Sequence, residues 1–362
     1  PGWFPKAPDS VGQARLVEQM TDLIPWGLHA VPAEQLVDVD RLGRVIRVDR
    51  GECDVITVDG VVRVLSDSQR AQDELAPVTG DWVDIGYEDG LGDVVARILD
   101  RRTSVSRRDP AERDLEQVLA SNIELVGVVH GLDRPLPAGR LERLLVMAAN
   151  SGAEPIVILT KADVAIDEPI EATVRSVARD MAVFVTSLDD SASLETVRET
   201  VGPTRTLALI GASGVGKSSL VNALVGSELL EVGDVRASDA KGRHTTTARE
   251  LVMLPSNTGM VLDTPGIRAI GLWEAEHALD LIFDDLVELT HGCRFRDCTH
   301  DAEPDCAVRL AVENGSADPL RVDRFRALAQ ELEQQRVREE ERQRRSERDG
   351  GSGRRRGKGR RR

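Results

Sequence analysis

The spacing of apolar and polar positions divides the chain into stretches of different period. Up to about residue 37 there is no sustained repeat and there are five prolines, which reads as an extension with little regular structure. From 40 to 103, short β-branched runs recur at 45–48, 53–58, 61–65, 81–87 and 93–99. Asp59-Gly60 supplies a hairpin turn, and Gly80, Gly90 and Gly92 fall at the other turns. Five short strands in so small a span suit a closed barrel. The OB-fold is the commonest five-stranded one, and an SH3-like barrel leaves a similar trace.

After Asp114 the period changes. Apolar runs at 125–129, 155–159, 182–186 and 206–210 alternate with helical stretches at 140–150, 170–180 and 193–201, and another helix opens at Lys217. Such alternation implies a parallel sheet with helices on both faces. Strands at 250–254 and 260–263 close this unit near Ile270. Two more helices follow, at 277–290 and 319–345. The second is almost wholly charged after Glu333 and should project into solvent, with Gly350-Gly351-Ser352-Gly353 as a flexible linker beyond it.

Chemistry enters where strands end. Gly211-Ala212-Ser213-Gly214-Val215-Gly216-Lys217-Ser218, followed by Ser219, is a complete phosphate-binding loop between an apolar strand and a helix. Its glycines let backbone N–H groups wrap the phosphates, and the helix N-terminus favours negative charge. Lys217 should reach the β- and γ-phosphates, and the Ser218 hydroxyl should ligate magnesium. Asp263-Thr264-Pro265-Gly266 ends a later apolar strand, where Asp263 can hold the magnesium shell and the Gly266 N–H can sense the γ-phosphate.

Thr160-Lys161-Ala162-Asp163 departs by one residue from the guanine-reading Asn-Lys-x-Asp. Asp163 can accept from the guanine N1–H and 2-amino group, a pair adenine lacks, while the Lys161 stem covers the base. Ser187, in the loop after the next strand, sits where the guanine O6 is met, although Leu188 replaces the usual Ala. This base-reading motif precedes the phosphate loop, whereas in ordinary GTPases it follows. That order identifies a circularly permuted nucleotide domain. Between the phosphate loop and Asp263 lies Lys241-Gly242-Arg243-His244-Thr245-Thr246-Thr247, a switch segment in which a Thr completes magnesium coordination. Thr245 is the candidate ligand and Thr246 a candidate catalytic neighbour. Ile267 stands where many GTPases place a water-orienting Gln, so His244 is the nearest candidate for that task. A surface or partner-binding role for His244 is equally open.

Cys293-x4-Cys298-x-His300-x5-Cys306 supplies three thiolates and one imidazole, the donor set of a closed, structural zinc. Four protein ligands leave no open position for catalysis. His291 is spare, and Cys53 reads as a small buried apolar residue.

At 362 residues the chain can bury two or three cores. No apolar run nears the length of a membrane span and no export signal is visible; Pro1 is expected to follow trimming or processing. A cytoplasmic monomer without membrane partners is the expectation. Net charge is −15, yet seven of the last nine residues are basic, so the other 353 carry −22. That tail suits either a tethered contact with an anionic partner or a solubilising end.

The expected fold is therefore α/β plus a small β-barrel. An extension spans 1–39, an OB-fold barrel 40–105, a permuted P-loop GTPase domain 106–273, a helical zinc-binding domain 274–345 and a basic tail 346–362. The ensemble resembles the bacterial ribosome small subunit-dependent GTPases of the RsgA/YjeQ type. The resemblance rests on the barrel, the permuted motifs, Gly242-Arg243-His244-Thr245-Thr246 and the zinc ligand spacing, and covers about residues 40–340. It implies GTP hydrolysis with Mg2+, late in maturation of the small ribosomal subunit, stimulated by that subunit. It also implies rRNA binding through the barrel and zinc domains. The rivals are a GTP-dependent binding switch and a permuted GTPase of the large subunit.

Overall fold

The computed structural model describes residues 21–36, 38–66, 76–108, 116–227, 249–262, 272 and 275–353. Five strands close the barrel: β1 (Leu42–Val48), β2 (Glu52–Thr57), β3 (Gly60–Leu65), β4 (Trp82–Glu88) and β5 (Gly92–Ile98), in the order β1-β2-β3-β5-β4. The expected alternation is physical. Along β2, Cys53, Val55 and Thr57 are buried and their neighbours are not, so one face fills the barrel with Val45, Val64 and Val83. Thr57 pairs with Gly60 across the anticipated hairpin, where Gly60 has φ +107°.

One early expectation is corrected. The stretch read as lacking regular structure holds short 3₁₀ turns at Ile24–Trp26, Leu28–Ala30, Ala33–Gln35 and Val39–Arg41. Leu23 and Leu28 are fully buried against Leu42, Trp82 and Leu99. Their apolar surface has nowhere else to go, and burying two leucines is worth roughly 3–6 kcal/mol.

A ribbon of β6 (Ser104–Arg108) and β7 (Glu116–Ser121) leads to the second sheet. Its strands are β8 (Leu125–Gly131), β9 (Glu154–Thr160), β10 (Val183–Val185), β11 (Thr206–Ile210), β12 (Leu251–Met253) and β13 (Met260–Leu262), ordered β10-β9-β8-β11-β13-β12. All neighbours are parallel except β12, antiparallel to β13 at the edge. Every residue of β8 and β11 is buried, as a sheet covered on both faces demands. The helices are α1 (Ala138–Asn150), α2 (Ile170–Ala178), α3 (Ser191–Val201) and α4 (Lys217–Val225).

Barrel and sheet belong to one compact unit, and one side chain ties them. Arg44 of β1 is 1% exposed. It donates to the carbonyls of Gly80 (3.3 Å), Trp26 (2.5 Å) and Asn122 (2.7 Å) and to Thr206 Oγ1 (3.1 Å) at the start of β11. Burial pulls its pKa down to about 10, with Glu124 and Asp81 opposing, so it stays charged at neutral pH. A buried cation is tolerated because its donors are matched by acceptors.

The second unit contains α5 (Glu276–Ile282), α6 (Asp284–Thr290), α7 (Ala307–Glu313) and α8 (Pro319–Gly353). The single helix expected over 277–290 is two, broken at Phe283 (φ −114°, ψ 32°). The buried Phe283 ring lies 5.4 Å from that of Phe325 and 4.6 Å from the Arg321 guanidinium, an anchorage that outweighs helical continuity. α8 runs through the glycines expected to form a linker, so helix continues to Gly353. Pairs such as Arg336 with Glu333 and Glu340 line its polar part.

Candidate functional site

The phosphate loop joins β11 to α4, with β8 on one side and β13 on the other. Gly211 (φ +151°) lies so close to β8 that an added Cβ would sit 2.4 Å from the Val129 carbonyl oxygen. Gly214 and Gly216 have φ of +74° and +94°, conformations that glycine adopts without strain. The Lys217 ammonium folds over the loop and donates to the carbonyls of Gly211 (2.9 Å) and Ala212 (2.7 Å).

β9 delivers Thr160-Lys161-Ala162-Asp163 to the same end of the sheet, the carboxyl edge where open α/β sheets bind ligands. The Thr160 hydroxyl donates to Val215 O at 2.5 Å, joining the base-reading loop to the phosphate loop. Lys161 (φ +62°) donates from Nζ to Gly214 O at 2.9 Å. Ser187, after β10, donates to Asp163 Oδ1 at 2.9 Å, and Ala162 N donates to Thr186 O at 3.2 Å. Residues expected from spacing alone to share a site are thus bonded to one another. Ser213, Ser218 and Ser219 lie on or beside this loop; His244, Thr245, Thr246, Asp263, Gly266 and Ile267 lie outside the described residues.

Asp133 and Arg134 had no motif to mark them. They follow β8, the strand between β9 and β11, and the only sequence signal is that position beyond a central strand's carboxyl end. Asp133 accepts from Arg134 Nε and Nη2 at 2.9 Å each and from Lys161 Nζ at 2.7 Å. Arg134 Nη2 also donates to Gly214 O at 2.9 Å. The Arg134 guanidinium, and then Lys161, hold the Asp133 carboxyl well below the usual carboxylate range against the opposing effect of burial. Burial lowers the pKa of His130, whose Nε2 donates to Arg134 O at 3.2 Å.

In the second unit, Cys293, Cys298, His300 and Cys306 bring one donor atom each to within 4.8 Å of one another. Cys293 Sγ lies 3.9 Å from Cys306 Sγ and 3.6 Å from His300 Nδ1, which lies 3.5 Å from Cys306 Sγ. Tetrahedral donors at ordinary zinc bond lengths are separated by about 3.8 Å (S···S) and about 3.5 Å (S···N), so the set fits. His300 and Asp305 have φ of +60° and +57°. The turn between them is held by Glu303, whose carboxylate accepts from Thr299 N, Thr299 Oγ1, Asp301 N and Ala302 N. Among the described residues these four are the one such group, and His291 is outside it.

A phosphate loop coupled to a base-reading loop that precedes it in sequence defines a circularly permuted P-loop GTPase, here preceded by a five-stranded closed barrel. Comparison with known proteins places it further. The RsgA GTPase family model matches residues 98–273. The small ribosomal subunit biogenesis GTPase RsgA of Streptomyces coelicolor is 40% identical over 295 residues, 80% of each chain. The protein of the same name from Methanosarcina acetivorans is 36% identical over 296 residues, 81% of this chain and 80% of the relative. This chain belongs to the RsgA GTPase family. Among solved structures it is similar to YloQ, a circularly permuted GTPase (TM-score 0.56, 25% identity, 81% and 95% of the two chains). It shares its fold with YjeQ from Thermotoga maritima (TM-score 0.57, 24% identity, 81% and 98%). Among the described residues no helix is long and apolar enough to cross a membrane.

Proposed function

We propose that this GTP hydrolase acts in late maturation of the small ribosomal subunit, that the subunit stimulates its turnover, and that the barrel and zinc domains bind rRNA. The observation that carries the guanine reading is the bonded set Thr160–Val215, Lys161–Gly214 and Asp163–Ser187. A carboxylate oriented by Ser187 beside an anchored lysine suits the guanine edge. The names of the relatives supply the small subunit as partner.

In this reading the phosphate-loop N–H groups and Lys217 bind the β- and γ-phosphates and neutralise charge that develops between them. Ser218, Asp263 and Thr245 would hold magnesium, which supplies further charge neutralisation. Gly266 would sense the γ-phosphate, and Thr246 would be a catalytic neighbour. His244 would orient the attacking water when the subunit is bound, because Ile267 has no polar group for the task. Zinc held by Cys293, Cys298, His300 and Cys306 is structural. The cytoplasm is the matching compartment.

The test is hydrolysis of GTP and ATP with and without purified small subunits. GTP turnover should rise on adding subunits while ATP turnover stays at background. His244→Ala should bind GTP normally and lose stimulated turnover by a factor on the order of 10²–10⁴. Stimulated turnover that survives this substitution moves the role to a group supplied by rRNA. Equal use of ATP would defeat the base-reading assignment.

A further inference from the structure

Two peptide planes of the phosphate loop, and one carboxylate outside the sequence motifs, show how the loop keeps its shape. The Gly214 carbonyl accepts from two cations, Lys161 Nζ and Arg134 Nη2, both at 2.9 Å. No peptide among those described is cis, so the N–H of Val215, in the same peptide plane, points the opposite way. The Thr160 hydroxyl fixes the next plane in the same sense through Val215 O, directing the Gly216 N–H likewise. Two successive N–H groups are thereby turned to the side on which such a loop receives phosphate.

Both cations depend on one carboxylate. Asp133 accepts from Lys161 at 2.7 Å and twice from Arg134 at 2.9 Å. It also offsets the repulsion between two cations sharing a single carbonyl. The approach is built into the strand before it. A Cβ on Gly131 would fall 2.5 Å from Asp133 Oδ1 and 3.5 Å from Lys161 Cδ. Any larger residue there would push the carboxylate off the cations.

We propose that Asp133 is a positioning residue for nucleotide binding, setting Lys161 and Arg134 on the Gly214 carbonyl so that the phosphate loop is pre-formed. This rests on the reading of the site as a GTP site. Acting through the loop, Asp133 governs how long diphosphate and triphosphate stay bound and leaves the choice of base alone.

The experiment uses the full chain and fluorescent GDP and GTP, with dissociation rates measured for Asp133→Asn, Lys161→Ala and the double variant. Asp133→Asn should speed dissociation of both nucleotides alike, by about 10- to 100-fold, the range expected when charge-assisted hydrogen bonds are weakened. KM for GTP should rise with it, while kcat at saturation stays within about twofold. Asp133→Asn should speed dissociation less in the Lys161→Ala background than in the native protein, because part of the carboxylate's effect runs through that lysine and the rest through Arg134. Multiplying effects in the double variant, or dissociation unchanged by Asp133→Asn, would overturn the proposal. Thermal melting checks folding; should Asp133→Asn fail to fold, Gly131→Ala displaces the same carboxylate by contact and must reproduce the faster dissociation. Failure of the underlying reading looks different: Asp163→Asn would then keep its preference for guanine over xanthine nucleotides, whatever the dissociation rates of the Asp133 variant.

Discussion

The phosphate loop and the cysteine segment are both irregular stretches that must hold several groups in fixed places. The first lies against a sheet whose strands β8, β9 and β11 are almost wholly buried. Its carbonyls are taken by Thr160, Lys161, Arg134 and Lys217. The second, residues 291–306, forms no strand itself and has little buried apolar surface; Cys306 alone in it is buried. Its order depends on four donors meeting at one point. The difference teaches where damage should spread. Losing one polar tie to the phosphate loop leaves the sheet standing and should show in binding, whereas losing the shared centre of the cysteine segment should show in folding.

The largest effect is therefore expected at the zinc site. One zinc per chain should be found, and its removal by a chelator should loosen residues 291–320, measured as local proteolysis and faster hydrogen exchange, with GDP affinity nearly unchanged. Structural zinc contributes an apparent binding energy of about 10–16 kcal/mol in small domains, far beyond any single hydrogen bond. Cys298→Ser should behave like chelation. Reductant-treated, chelator-free protein that contains no zinc would end this reading and remove one half of the comparison.

Next in size is Arg44, the polar tie that fastens the barrel to the nucleotide sheet. Arg44→Met keeps the length of the side chain and deletes its donors, leaving the carbonyls of Trp26 and Asn122 short of a partner, while Gly80 O keeps its bond from Asn122 Nδ2. Each acceptor left unmet costs about 1–3 kcal/mol, so stability should fall by about 2 kcal/mol or more. Denaturant melting followed by Trp fluorescence suits the measurement, because Trp82 lies 5.9 Å from the guanidinium. A melting midpoint unchanged by Arg44→Met would show that the apolar clusters alone hold the junction.

Periodic patterning made the strands legible, since burial follows alternation in β2 and continuous apolar runs in β8 and β11. The phosphate loop and the four zinc donors were legible because their chemistry fixes residue type and spacing together. What escaped has a common cause. Arg44 on a strand reads as a solvent-facing position, and only the folded arrangement brings four oxygen acceptors around it. Asp133 and Arg134 reach Lys161 and Gly214, which lie 28 and 80 positions away in the chain. The break at Phe283 escaped because an aromatic anchored on Phe325 and Arg321 depends on contacts 42 and 38 positions away. The turns at 24–41 were hidden by prolines, one of which, Pro25, opens the first of them.

The smallest expected effect distinguishes a tie that orders the phosphate loop from one that merely decorates it. Thr160 stands where the common base-reading motif has Asn, and its hydroxyl donates to Val215 O at 2.5 Å. Thr160→Val keeps the branched shape, which the buried position at the end of β9 requires, and removes only the donor. The bond is between neutral groups, so its net worth is about 0.5–1.5 kcal/mol, or a weakening of GDP binding by about two- to tenfold. Thr160→Asn should restore most of that loss, because an amide N–H can donate to the same carbonyl from nearly the same place. The pair is informative because overpacking and lost hydrogen bonding predict opposite orders. If crowding dominates, Asn binds nucleotide worse than Val; if the tie to Val215 matters, Val is the weaker of the two. Equal, native-like GDP affinity in both would mean that Lys161 and Arg134, through Gly214 alone, suffice to shape the loop.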